Sequence, residues 1–546
     1  MNEPADPRPA SPPRAGILDG RAWIVLGVVL VLALGARWFR SPVPSMEVPG
    51  TMGFPPSLVI SDPPSMDELW HLALSTGRGS PFDRYPYNEL LTDVPPWTRL
   101  TDAPPWWTVW TTQEHVVHPP LYVQTLRLWR ELLGDGEREA IAYSVLWSCI
   151  AIVFVFLAAR REFGLAVAGW CGIAMALAPT QIYYALEIRG YAMLAGLSAI
   201  LLYLVVRIRH EGATRGNCVA LSIALLAAML THYFAIFSCI AAGTMALLWA
   251  RTGERRRVLL AGAVAAVVFV VTWLPFAIEQ VQVVKEGTDF LSNTTGSYWM
   301  LVHRTLSMPL NLLAEPLFPS DAVLRTILGG TVLLSVGVLA IRKPALRVAA
   351  IWTLITLGGL LLLDLVNTTR HTSFIRYAAG ITPGIILATL AIFHLPRARW
   401  IMHLGGITVA IFCLFYREEP IRMDSPAPFP IVQTLAPLLQ GDETIVVHYD
   451  GDVRFYPSAV LLEFSNVPGL FPRDVIFTDR PMSPELVAQL RTPRALLLML
   501  SAPGPAESII PGAVTEHWEM FQVELFPPDA PPHVAYFVSL PTRSNP

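Results

Sequence analysis

Eleven apolar stretches divide this chain, at residues 22–38, 140–159, 165–185, 190–206, 217–231, 233–250, 258–278, 321–341, 348–366, 377–394 and 400–416. Most approach the roughly 20 residues that carry a helix across the hydrocarbon layer of a bilayer. In that layer no water meets a backbone N–H or C=O, so the stretches must satisfy their hydrogen bonds internally, as helices. The composition agrees, with 53% of residues apolar and 15% charged, against roughly a quarter charged in soluble domains. The expected fold class is an all-α polytopic membrane protein with about eleven transmembrane helices.

Arginine sets the orientation. Arg160 and Arg161, then Arg207, Arg209 and Arg215, then Arg251 and Arg255 to Arg257, then Arg342, Lys343 and Arg347, then Arg397 and Arg399 occupy every second connection. Short basic connections stay in the cytoplasm. An odd number of spans then leaves the N-terminus inside and the C-terminus outside. The expected division is a cytoplasmic tail over 1–21, a transmembrane domain over 22–416 whose first outer loop covers 39–139, and an extracytoplasmic domain over 417–546. Arg14 and Arg21 ahead of a short apolar run also resemble a signal peptide. Cleavage there would leave the first loop outside all the same.

That loop is crowded with Pro95, Pro96, Trp97, Pro104, Pro105, Trp106, Trp107 and Trp110. Loops beyond about 12–15 residues either act or are disordered, and dense tryptophan argues against disorder. An aromatic belt at headgroup level and a sugar-stacking lid are both open. Residues 121–133 combine helical apolar spacing with a charged face, predicting a helix that lies in the membrane interface. In the tail, β-rich runs at Thr444 to His448, Ala459 to Phe464, Val475 to Thr478, Ala495 to Leu500 and Val534 to Leu540 alternate with turns. With one helix expected at Pro484 to Leu490, they predict a small C-terminal α/β domain.

Ionisable residues gather at the outer ends of the spans. Asp67 and Glu68 adjoin in the first loop; His115 and His118 precede Pro119 and Pro120; Glu187, Arg189 and Tyr191 mark one hairpin, Thr231, His232 and Tyr233 another. Arg370, His371, Arg376 and Tyr377 mark a third. Such groups are costly at membrane depth and by default functional. Each has a plainer use: an Asp-Glu pair is ordinarily solvated surface, Glu187 and Arg189 could pair at their hairpin, His232 could anchor a turn, and Arg376 could snorkel to a headgroup. Their meeting on one face favours a shared cavity. The net charge of −3 leaves no basic surplus for nucleic acid. The five cysteines lie in apolar runs, without zinc spacing or a place for disulfides.

Taken in order, Ser65-Met66-Asp67-Glu68-Leu69-Trp70, His118 to Tyr122, Gly134 to Glu137, Ala178-Pro179 with Glu187, Arg189 and Tyr191, Thr231-His232-Tyr233, and Phe374 to Tyr377 with Pro383 resemble a known group. It is the bacterial protein-mannosyltransferase-like membrane glycosyltransferases (glycosyltransferase family 39), which have the GT-C fold and are similar to aminoarabinose lipid A transferases. The resemblance covers about residues 60 to 395. It implies an enzyme of the bacterial cytoplasmic membrane that moves a hexose or pentose from a polyprenyl-phosphate carrier to a lipid, glycan or protein acceptor outside, with inversion. By the family match Asp67 is the general base, with Glu68 orienting the acceptor or tuning its neighbour. Arg189 and Arg376, flanked by Tyr191 and Tyr377, are placed for the donor phosphate, since guanidinium binds phosphate oxygens in pairs. His118, Glu187 and His232 are the remaining active-site candidates.

No motif demands a cofactor. A divalent cation stays open, because Asp67, Glu68, His118 and His232 offer suitable ligand atoms without a compact spacing. A polytopic transporter or flippase for a lipid-linked or anionic substrate is the competing class, and a membrane sensor a third. The charge rule itself is testable: alkaline phosphatase fused near Asp442 should be active, and an inactive fusion would overturn the orientation.

Overall fold

A computed structural model describes residues 19–40, 66–80, 85–92, 94–112, 116, 118–287, 298–313, 322–393, 399–415, 439, 443–449, 460–462, 464–465, 474–490, 494–500, 505–521 and 533–539. His115 lies outside them. In chain order come α1 (Gly20–Arg40), α2 (Met66–Ser75), β1 (Leu90–Thr92), α3 (Thr108–Thr111), α4 (Leu121–Leu133) and α5 (Glu137–Phe163). Then follow α6 (Leu165–Leu177), α7 (Pro179–Leu186), α8 (Tyr191–Glu211), α9 (Arg215–Thr231), α10 (Ala235–Trp249), α11 (Arg255–Thr272) and α12 (Leu274–Gly287). The helical part ends with α13 (Tyr298–Asn311), α14 (Ala322–Arg342), α15 (Arg347–Asn367), α16 (Thr382–Phe393) and α17 (Arg399–Phe415). The tail supplies β2 (Thr444–His448), β3 (Asp474–Thr478), α18 (Pro484–Val487), β4 (Arg494–Met499), β5 (Val514–Phe521) and β6 (His533–Ser539).

Every apolar stretch falls on an apolar helix. Among the described residues five segments, covering α1, α5, α8, α14 and α15, are each long and apolar enough to span, and two bent pairs raise the number to seven. Helices α9, α10, α16 and the Trp400–Ile411 part of α17 are shorter but apolar. The bend between α6 and α7 follows from Pro179, which lacks an N–H and drives Ala178 out of the helical region (φ −56°, ψ 123°), so the chain restarts at 56°. Helix α8 lies at the centre, with 89% of its apolar window buried. Leu259, Leu260, Val267 and Val271 of α11 are exposed, as lipid-facing side chains of a bundle must be. Helix α1 is part of that bundle. Its stripe Ala22, Leu26, Val29 and Ala33 is buried, and Arg37 donates from Nη2 to Ser148 Oγ (2.6 Å) and from Nη1 to the Ala176 carbonyl (3.1 Å). Close approach also shapes α15 and α16, where a Cβ on Gly384 would collide with the Trp352 indole.

Residues 121–133 form the expected amphipathic helix, α4, and its buried face holds polar side chains beside Tyr122, Val123 and Leu126. Gln124, Arg127 and Arg130 are buried, whereas Leu128, Leu132 and Leu133 are exposed. The reason is a supply of unpaired carbonyls beneath it. Arg130 Nη1 donates to the Leu72 carbonyl (3.0 Å) and to Ser75 Oγ (2.6 Å), and its Nη2 donates to the carbonyls of Thr98 and of Asp135 (2.8 Å). Arg127 donates to the carbonyls of Thr76 (2.5 Å) and Pro104 (2.9 Å). Leu128, Leu132 and Leu133 therefore face outward.

The tail is built on one six-stranded sheet of order β1-β3-β2-β4-β6-β5. Strands β3, β2 and β4 run parallel, and the other pairs are antiparallel. Its first edge strand, β1, comes from between α2 and α3, with Leu90 opposite Ile476. Asn88 reinforces the junction, donating to Asp479 Oδ1 (2.9 Å) and accepting from Thr478 Oγ1 (2.8 Å). The run Ala459 to Phe464, expected as a strand, is helical over its described residues. Val460, Leu461, Leu462 and Phe464 are all buried, and a short, wholly apolar run has no period that separates strand from helix. Strands β1 and β5 were not expected.

Replacing Arg130 by Leu leaves buried carbonyls without donors. The expected cost is about 3 kcal/mol or more, read as a lowered thermal midpoint of the solubilised protein. Wild-type melting would disprove the clamp.

Candidate functional site

Helix α2 presents the carboxylate pair from its first turn. The two side chains diverge. Glu68 is buried and its Oε1 accepts from the Ile188 N–H (3.0 Å), fastening α2 to the turn between α7 and α8. Asp67 keeps 22% of its side-chain surface exposed and forms an ion pair from Oδ2 to Arg189 Nη2 (2.8 Å). Arg189 is itself buried and sits 4.9 Å above the Tyr191 ring. Glu187 Oε1 stands 3.9 Å from Arg189 Nη1. They approach because the chain is not helical here, with Glu187 extended at φ −89° and ψ 141°.

Three imidazoles complete this wall. His71 lies 5.7 Å from His118, and His118 lies 5.1 Å from His232, measured between ring centres. His71, His118, Tyr122, Arg189, Tyr191 and His232 line one small cavity. From the far side, Arg376 stands 5.2 Å over both the Phe374 and Tyr377 rings. Tyr377 packs 4.7 Å from Phe234, which in turn lies 5.4 Å from His232. All nine candidate residues are thus described, and contacts or electrostatic influence link them across five chain segments.

The charges are interdependent. Burial acts to raise the Asp67 pKa, but Arg189, Arg376 and His71 together outweigh it and hold the carboxyl below its ordinary value. Burial, reinforced by Arg189, pushes His71 down to about 4, against a hydrogen bond from its Nδ1 to the Asp67 carbonyl (2.6 Å). Burial and the same positive neighbours take His232 to about 3 and His118 well below its usual value. At neutral pH the site therefore holds an ionised Asp67, neutral imidazoles and cationic arginines. Among the described residues no group of three or more His, Cys, Asp or Glu side chains is arranged to hold a metal ion.

Three contributors escaped sequence reasoning. His71 lies four residues beyond Asp67, one helical turn along the same face, a spacing that could have revealed it. Gln280 of α12 accepts from the Tyr233 hydroxyl (2.5 Å) and donates to the His118 carbonyl (3.4 Å), with only a polar residue near the end of an apolar run as its signal. Asp364 is fully buried and accepts from His371 N (2.7 Å), Thr372 N (2.7 Å) and Thr369 Oγ1 (2.9 Å). It thereby sets the turn that leads into Arg376. Here the signal was an acid closing an apolar span.

A family model described as dolichyl-phosphate-mannose-protein mannosyltransferase matches residues 117–276. The match takes in His118, Glu187, Arg189, Tyr191 and His232. No curated protein matches the chain. The apo structure of ArnT from Cupriavidus metallidurans is similar at a TM-score of 0.53 and 14% identity, covering 94% of this chain and 98% of that one. The same protein bound to undecaprenyl phosphate gives 0.52 and 16%, covering 95% and 98%. At these identities the likeness is one of fold. The chain is a mostly helical, multi-pass membrane protein of the GT-C fold, and its residues 117–276 are similar to that glycosyltransferase family.

The imidazoles make stability depend on pH. His71 titrates near 4 when folded and near 6.5 when unfolded, so the unfolded chain takes up its proton first as pH falls. The stabilisation is complete above about pH 6.5 and drains towards pH 4, at up to about 1.4 kcal/mol per pH unit. His71→Asn should flatten the fall in thermal midpoint between about pH 7 and pH 5. An unchanged slope would mean that His71 is not held neutral.

Proposed function

We propose that this chain is a glycosyltransferase of the bacterial cytoplasmic membrane, taking a hexose or pentose from a polyprenyl-phosphate carrier to an acceptor on the outer face. The observation that carries the reading is the ion pair of Asp67 with Arg189, which sets a candidate base against a candidate phosphate-binding group that lines the cavity, with Arg376 within electrostatic reach. A hydroxyl or amine of the acceptor attacks the anomeric carbon while Asp67 takes its proton. The bond from that carbon to the phosphate oxygen breaks, and the electron pair leaves with the lipid phosphate. Arg189 and Arg376 neutralise the charge that grows there. Attack opposite the leaving group inverts the anomeric centre.

The known complex of a protein of this fold with undecaprenyl phosphate supports the donor class. Glu68, engaged with Ile188, serves by holding α2 in place. The tail, joined to the first loop through β1, lies outside and helps to select the acceptor. A transporter built on the same helices would move its substrate without releasing polyprenyl phosphate, and product analysis separates the two.

Purified protein in nanodiscs, given a lipid-linked sugar and acceptor extract, should release polyprenyl phosphate. Asp67→Asn should reduce that release by about 10² to 10⁴ while membrane insertion stays intact; wild-type turnover would remove Asp67 from the mechanism. Arg189→Ala and Arg376→Ala should weaken donor use more than acceptor use, with Lys restoring only part. Unchanged apparent donor affinity in both would refute the phosphate assignment.

A further inference from the structure

His232 ends α9 in an extended conformation, and its ring is held in one orientation. The Phe234 N–H donates to its Nδ1 (3.2 Å). A backbone amide can only donate, so Nδ1 carries the lone pair and the ring proton sits on Nε2. The residue is 4% exposed, and its Nε2 has no hydrogen-bond partner among the described residues. A buried N–H left in this way destabilises the protein unless something accepts from it. The ring cannot turn aside, being enclosed by His118 at 5.1 Å, Tyr191 at 5.5 Å and Phe234 at 5.4 Å. It lines the cavity together with Arg189, and Tyr191 contacts both. A wall made of guanidinium and a fixed N–H donor calls for an anionic acceptor.

We infer that His232 is a donor-binding residue, its Nε2–H donating to a phosphoryl oxygen of a polyprenyl phosphate seated against Arg189. This rests on the proposed glycosyl transfer and deepens it. A neutral donor adds direction without adding charge to a site that already holds two guanidiniums. Its hydrogen bond strengthens as negative charge collects on the departing phosphate.

Two substitutions separate the two ends of the ring. Asn places its amide oxygen near the Nδ1 position and keeps the bond from Phe234 while losing the cavity donor; Gln places an N–H near Nε2 and gives up the Phe234 bond. Binding of undecaprenyl phosphate to the full-length protein in nanodiscs, followed by tryptophan fluorescence, is the readout, with thermal midpoints measured in parallel. The expected pattern is crossed: His232→Asn melts like wild type but binds about tenfold more weakly, whereas His232→Gln melts lower and keeps most of the affinity. Wild-type binding by the Asn variant overturns the inference, as does equal loss by both variants in step with their melting. Arg189→Ala distinguishes the two levels: if it also binds as wild type, the donor reading itself fails, and if it alone weakens binding, only the role of His232 fails. Should either variant not fold, ¹⁵N-histidine-labelled wild-type protein gives the answer. Addition of undecaprenyl phosphate should move the Nε2–H proton resonance of His232 downfield, and an unmoved resonance overturns the inference.

Discussion

Two buried guanidinium groups at the C-terminal end of α2 hold α2, α4 and residues 98–104 in register. Burying a cation is costly unless its donors are met. Arg130 and Arg127 find their acceptors mainly in backbone carbonyls, several of them the open carbonyls of the last turn of α2. That turn is also the negative pole of the helix. The opposite end of α2 carries Glu68 and Asp67, each fastened to the segment between α7 and α8. A ten-residue helix pinned at both ends has little freedom to rotate. The direction in which Asp67 points is thus decided by arginines a helix length away.

How much of this was readable depends on what kind of signal each part leaves. The spans were legible because membrane insertion demands long apolar runs, and the fold class follows from their number and order. Asp67, Arg189, His232 and Arg376 stood out because charge at a membrane end is rare. The orientation of α4 was not legible. Amphipathic spacing shows that a helix has two faces, but which face turns inward depended on carbonyls contributed by residues 72–76 and 98–104, far away in sequence. Strand β1 escaped for a similar reason, since three residues between prolines and tyrosines become a strand only when an edge is offered to them.

Asp67 and Arg189 also restrain one another. Each group occupies the other, so the carboxylate is a poor base while the guanidinium remains its partner. On the proposed reading, a donor phosphate that competes for Arg189 would loosen that hold and raise the basicity of Asp67.

Because the first loop and the tail share one sheet, the chain also faces a problem of timing. Asn88 and Asp479 are 391 residues apart. At about 5–20 residues per second, a ribosome needs roughly 20 to 80 s to make the intervening chain. Throughout that interval β1 has no neighbour. The first loop must therefore be sheltered by its own arginine clamps before its sheet exists, and the newest part of the protein completes one of the oldest.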